Sequence, residues 1–185
     1  MASPFRSALV LLTQYAEYHR DRRNIATHFV GVPLIVFGVV QALATVWMAA
    51  GDYTITLAAV VSIAACIYYF RLDFVFGVTM AVTLFVMCAG ASEVVHRLGK
   101  GPALGVAAIA FTVGWVIQFV GHYYEGKKPA FVDDLVGLLL GPLFVTAEVG
   151  FNLGLRLELK NEIESRVGPT RLRTIGSTGS PTLSK

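Results

Sequence analysis

Four long stretches of this chain carry no Asp, Glu, Lys or Arg: residues 24–51, 53–70, 74–92 and 101–124. A helix needs about 20 predominantly apolar residues to cross a hydrocarbon core of about 30 Å. The boundaries predict spans over 25–50, 53–70, 74–95 and 103–124. Pro33 is expected to kink the first span, and Gly51 with Asp52 to turn the chain tightly into the second. The second is short and reaches across if Arg71 snorkels its charge outward. Gly126, with Pro129 beyond it, is placed to end the fourth.

The flanking segments read differently. Over residues 4–18, Phe5, Ala8 or Leu9, Leu12, Tyr15 or Ala16, and His19 recur at steps of three and four. That periodicity predicts an amphipathic helix, too short to span, lying at the interface. A charged cluster follows from His19 to Arg23, and Asn24 stands where an N-cap belongs. After the fourth span, Asp133 and Asp134 suit the positive end of a new helix. Only 13 residues separate Asp134 from Glu148, and Gly141 with Pro142 interrupts them. Residues 135–155 are therefore expected as a re-entrant or interfacial helix. The polar residues 161–185 read as a disordered cytoplasmic tail after one membrane domain over 1–160. The fold class is all-α: a polytopic membrane bundle of four spans, an N-terminal amphipathic helix and a C-terminal re-entrant or interfacial helix.

Composition agrees. Of 185 residues, 55% are apolar and 15% charged, against roughly 45–50% and 25% in soluble domains; mean hydropathy is +0.65. The net charge of +3 does not indicate nucleic acid, because the basic residues form no basic face and no aromatic platform. They set orientation instead. With four spans, Arg6, Arg20, Arg22, Arg23, Arg71, Lys127, Lys128 and the C-terminus share one side, and the other holds only Arg97 and Lys100. Both termini are then cytoplasmic, in the inner membrane of a bacterium or the endoplasmic reticulum of a eukaryote. The first apolar run, residues 8–12, is too short for a cleavable signal peptide. Cys66 and Cys88 are expected about 15 Å apart in depth, beyond disulfide reach.

Topology also sorts the four histidines. His19, His28 and His122 fall at similar depth on the cytoplasmic side, while His96 lies about one bilayer thickness away. His19 and His28 can meet only if the chain turns between them, as a cap at Asn24 would require. On the fourth span Gln118, His122 and Glu125 share a face. Histidines with nearby carboxylates are metal-ligand chemistry, and such sets with open positions suit non-haem Fe(II). The plainer reading is of interfacial or packing residues: a histidine at a span end, a capping Glu125, a helix-bridging Gln118.

At these residues the chain resembles a known family. Tyr18, His19, Arg20, Asp21, Arg22, Arg23 and Asn24, then His28, Gly31, Val32 and Pro33, resemble the N-terminal signature of the Mpo1-like membrane proteins. Gln118, Phe119, Val120, Gly121 and His122, then Glu125, Gly126, Pro129 and Ala130, resemble the second. The likeness covers about residues 10–155 and implies an Fe(II)-dependent dioxygenase that uses O₂ to shorten 2-hydroxy fatty acids by one carbon, in fatty-acid α-oxidation. It further implies Fe²⁺ held by His19, His28 and His122, with Glu125 a weaker candidate ligand and Arg23, Asn24 and Gln118 candidates for substrate binding. Ligation needs neutral imidazoles, so iron affinity is expected to fall below about pH 6.5. The alternative is a non-catalytic membrane adaptor or small transporter whose histidines are structural. Spans without mid-membrane charge weigh against a transporter.

Overall fold

The computed structural model describes residues 7–51, 53–127 and 136–174. Pro129, Asp133, Asp134, the first residues of the N-terminal helix and the tail beyond 174 lie outside these. Among the described residues the chain forms α1 (Ala8–Ala16), α2 (Arg22–Ala44), β1 (Trp47–Ala50), β2 (Tyr53–Thr56), α3 (Leu57–Leu72), α4 (Phe74–Leu98), α5 (Lys100–Glu125), α6 (Val136–Asn152) and α7 (Leu157–Val167). The molecule is an all-α membrane bundle with one small hairpin.

Three helices, α2, α4 and α5, are long and apolar enough to cross a bilayer. Around them Ile63, Phe85 and Ile109 are 61%, 73% and 67% exposed. Such side chains are stable against hydrocarbon and costly against water, so the protein is a multi-pass membrane protein. The expected second span, α3, has 16 residues, about 24 Å at 1.5 Å each. It forms a helical hairpin with α4, turning at Asp73, whose carboxylate caps α4 through the N–H groups of Val75 and Phe76 at 2.9 and 3.1 Å.

Several boundaries move. The first span ends at Ala44, and β1 and β2 pair antiparallel where spans were expected to run to Ala50 and from Tyr53. Aromatic and β-branched residues (Trp47, Tyr53, Thr54, Ile55, Thr56) favour the extended chain, and Gly51, at φ 61°, supplies the turn. The cap of α2 is Asp21 and not Asn24: its Oδ1 accepts from Arg23 N at 2.9 Å, which places Asn24 inside the first turn. Neither Pro33 nor Pro142 breaks its helix. The break falls after α6, where Gly154 and Arg156 take positive φ and α7 departs at 114°. Arg156 fixes this corner with two hydrogen bonds to Asp73, at 2.8 and 3.2 Å. Helix α7 and residues 168–174 occupy part of the segment expected to be disordered.

Helix α1 does not lie free along a surface. Leu11, Leu12 and Ala16 are fully buried, in one cluster with Leu143, Phe144 and Ala147 of α6 and Ile163 of α7. Each buried leucine contributes roughly 1.5–3 kcal/mol, which anchors α1 beneath both helices. Both cysteines are free, and Cys88 Sγ lies 3.3 Å from Ser62 Oγ. Ser62 is one turn from Cys66, so the two thiols lie closer in depth than the sequence suggested.

The α2–α5 pair is the most extensive helix contact, and missing side chains make it. A Cβ on Gly31 would stand 2.9 Å from Gly114 O, one on Gly114 2.8 Å from Gly31 O, and one on Gly38 2.9 Å from Ala107 O. Small residues let membrane helices approach closely enough for dispersion contacts to hold them. The same approach sets the start of α2 against the end of α5.

Candidate metal centre

That juxtaposition brings three histidines together. His28 sits in the second turn of α2 and His122 in the last turn of α5. His19 arrives from the turn between α1 and α2, held by His19 N donating to Ala16 O at 3.0 Å. The ring centroids of His19 and His28 are 4.5 Å apart, those of His19 and His122 5.1 Å, and those of His28 and His122 5.3 Å. All three side chains are buried, and one nitrogen from each lies within 4.8 Å of the others.

Two of the rings are fixed by their own helices. His19 Nδ1 lies 2.7 Å from Tyr15 O, and His28 Nδ1 lies 2.8 Å from Asn24 O. A carbonyl oxygen only accepts, so each Nδ1 carries the proton and each Nε2 keeps its lone pair. Among the described residues His19 Nε2 and His122 Nδ1 have no hydrogen-bond partner although buried, a cost of about 1–3 kcal/mol apiece in an apo protein. Burial, and then the neighbouring His28, holds His19 well below the usual histidine pKa, so it stays neutral. Neutral rings with backbone-fixed tautomers and converging lone pairs fit a cation, and imidazole suits zinc, copper, iron and nickel alike.

Glu125 holds the turn that carries His19. Its Oε2 accepts from Arg20 N at 3.0 Å, Asp21 N at 2.8 Å and Asn24 Nδ2 at 3.1 Å. The two backbone N–H groups precede α2 and have no intrahelical carbonyl to bond. Asp21 is bound by Arg23, whose guanidinium donates to both its oxygens at 3.0 and 2.7 Å, and this holds its carboxyl down at about 2.

The model of the family described as "2-hydroxy-palmitic acid dioxygenase Mpo1-like" matches residues 5–153. The chain is also 34% identical, over 154 residues, to a Saccharomyces cerevisiae protein named 2-hydroxy-palmitic acid dioxygenase MPO1. That alignment covers 81% of this chain and 83% of the yeast protein. The chain belongs to the Mpo1-like family. No solved structure matches it.

Within this Mpo1-like fold the other expected site residues separate. Gln118 is buried and lines a cavity of about 50 Å³ beside His28 and His122. Its amide lies over Gly31, where any Cβ would meet it at 2.7 Å. Glu125 lies outside the converging histidine cluster, and its Oε2 is engaged by the α2 turn. Arg23 is turned away from the cluster: it pairs with Asp21, lies 4.5 Å over the Tyr124 ring and donates to Arg173 O at 2.6 Å. Asn24 acts through others, its carbonyl fixing His28 and its amide meeting Glu125. His96 is exposed near the end of α4.

Two features escaped the sequence reading. Tyr15 stacks on His19 at 4.2 Å with 5° between the planes, and Phe144 packs against both rings at 5.0 and 5.3 Å. The step of four from Tyr15 to His19 was the available signal. Residues 168–174 form a strap over the α1–α2 turn. Arg22 N donates to Arg171 O at 3.0 Å, Arg171 N to Arg20 O at 2.8 Å, and Arg173 N to Asp21 Oδ2 at 2.8 Å. The strap lies beyond the residues that the family model matches, and its composition gave no sign of it.

Proposed function

We propose that His19, His28 and His122 bind one Fe²⁺, and that the protein uses O₂ to shorten 2-hydroxy fatty acids by one carbon. The observation that carries the reading is the convergence of three buried imidazoles, two with tautomers fixed by backbone carbonyls, in a relative of a protein named 2-hydroxy-palmitic acid dioxygenase. Iron would supply the redox chemistry that lets O₂ react with an organic acid. One O₂ balances conversion of the 2-hydroxy acid to the acid one carbon shorter, with CO₂ and water released.

The protein's own groups supply the rest. The buried rings stay neutral and present lone pairs without rearrangement. Gln118, with Nε2 unpartnered, is placed to hydrogen-bond the carboxylate or hydroxyl of the acid. Tyr15 and Phe144 wall the cluster on one side and exclude water there, which strengthens every polar contact inside.

The centre sits on the cytoplasmic face in this reading, with both termini on that side. The end of the bundle holding the cluster also carries Arg20, Arg22, Arg71, Lys127 and Arg156, and the opposite end Arg97 and Lys100; that asymmetry supports the orientation. A reporter inserted at Gly99 is expected on the opposite side from one at the C-terminus.

Anaerobic reconstitution of detergent-purified protein with Fe²⁺, followed by metal analysis and an assay for the shortened acid, tests the proposal. One iron per chain is expected, with alanine at His19, His28 or His122 losing iron and turnover together and His96→Ala keeping both. Wild-type protein that stays metal-free, or full turnover without His122, overturns it.

A further inference from the structure

We propose that the acyl chain of the substrate lies in an apolar groove running from the histidine cluster between α2, α5, α3 and α6, and that Ala65 on α3 limits the chain length it accepts. This rests on the reading of the cluster as a 2-hydroxy acid site. The cavity beside His28 and His122 has Ile35, Val36, Trp115, Leu138 and Pro142 in its wall, and the same five residues line a second cavity of about 290 Å³. The two spaces adjoin across that shared wall. Together they reach the lower end of the roughly 300–1,000 Å³ typical of small-molecule sites.

The two ends differ in chemistry as the two ends of a fatty acid do. Around the small cavity, Gln118 Nε2 is buried without a partner among the described residues, so a carboxylate or hydroxyl would find a donor to meet. In the groove the polar side chains already have partners. Tyr69 OH donates to Leu139 O at 2.8 Å, and Ser62 Oγ lies 3.3 Å from Cys88 Sγ. What remains facing the space is apolar, and methylenes lose nothing there.

Length agrees as well. On α2 the lining runs from His28 to Leu43, fifteen residues or about 22 Å at 1.5 Å each. An acyl chain in a bilayer occupies one leaflet, about 15 Å of the 30 Å core. On α5, Trp115, Gln118 and His122 follow at steps of three and four, so the face that carries the histidine continues into the groove. A neighbouring apolar space of about 350 Å³ against α4 also touches Val32, Val36 and Pro142 of the small cavity. No residue of α5 lines it, and it ends at Arg156, already paired with Asp73. It is the poorer route from the cluster.

The test reads binding as well as turnover. In a Trp47→Phe background Trp115 is the sole tryptophan. A 2-hydroxy octadecanoic acid dibrominated at mid-chain is expected to quench its fluorescence saturably in metal-free protein. Ala65→Phe should weaken that binding about tenfold or more, the loss of roughly two buried methylenes, while binding of a 2-hydroxy octanoic acid, read by competition, changes less than twofold. Turnover of iron-loaded protein should show the same chain-length selectivity. Thr83→Phe, in the space against α4, should change neither. Saturable, Ala65-sensitive quenching without any turnover supports the groove and refutes the dioxygenase reading instead. Equal loss for both acids in Ala65→Phe of unchanged melting temperature, or a selective loss in Thr83→Phe, overturns the groove.

Discussion

Replacing Glu125 with alanine should destabilise the protein and loosen its metal without removing a ligand. The carboxylate is buried and satisfies two backbone N–H groups, of Arg20 and Asp21, together with the Asn24 amide. Without it the N–H groups are left buried and unpaired, at about 1–3 kcal/mol each, or about 2–6 kcal/mol in all. For a chain of this size that lowers the melting temperature by roughly 5–20 °C. The same turn carries His19, and Asn24 O fixes the His28 tautomer, so two rings lose their support. Loss of such supporting contacts typically costs about 10–100-fold in metal affinity or activity, whereas a lost ligand should abolish binding. Glu125→Gln keeps one acceptor oxygen at the same reach and should recover most of the stability. Thermal unfolding in detergent and Fe²⁺ titration of wild type, Glu125→Ala and Glu125→Gln measure this. An alanine variant that melts and binds iron like wild type refutes the positioning role. One that melts like wild type yet binds no iron makes Glu125 a ligand.

Other expectations follow from the same contacts. His19 is held below the usual value of about 6.5, so between that folded value and 6.5 the unfolded chain binds more protons; metal-free protein should be fully stable above about pH 6.5 and lose stability as pH falls below it, which pH-dependent melting will show. By the same shift, the folded site should hold iron below pH 6.5, where an unshifted imidazole would weaken about tenfold per pH unit; tenfold weakening from pH 6.5 to 5.5 in an iron titration would contradict the neutral His19. Gly114→Val should separate α2 from α5, because even its Cβ would press on Gly31 O, and should lower melting temperature and iron content together. Deleting residues 168–185 removes the strap's hydrogen bonds to the α1–α2 turn, at about 0.5–1.5 kcal/mol each; a melting temperature a few degrees lower and faster iron release to a chelator are expected, and an unchanged release rate would show that the strap does not brace His19.

What could be read in the sequence was whatever a single helix decides. Three of the four charge-free stretches became helices long and apolar enough to span, because a long apolar helix is set by local composition. The shared depth of His19, His28 and His122 followed from counting residues at 1.5 Å each. Their lateral meeting did not, since it depends on Gly31 facing Gly114 and Gly38 facing Ala107. Those contacts join residues about 70–80 positions apart and leave only unremarkable glycines in the sequence. Glu125 is ambiguous in the sequence for a related reason. Its step of three from His122 put it on the ligand face, but the α2 turn competes for the same carboxylate with backbone donors that the sequence does not display. The β1–β2 hairpin was hidden by reading Trp47, Tyr53 and Ile55 as apolar span residues when their shapes favour extended chain.

The strap shows the opposite limit of composition. Residues 161–174 are polar and charged, and by average content such a segment cannot bury enough apolar surface to order itself. It orders through a few contacts instead: Ile163 in the core, Gly168 O accepting from Arg20 at 2.9 Å, and the backbone of Arg171 and Arg173 against residues 20–22. The turn it braces is the one that Glu125 braces from the other side, and its central side chain is His19. Two independent sets of hydrogen bonds, one from α5 and one from the C-terminal strap, thus converge on the only histidine of the cluster that no long helix holds. A buried ring carried on a turn needs such support to stay in place, because it lacks the rigidity that α2 gives His28 and α5 gives His122.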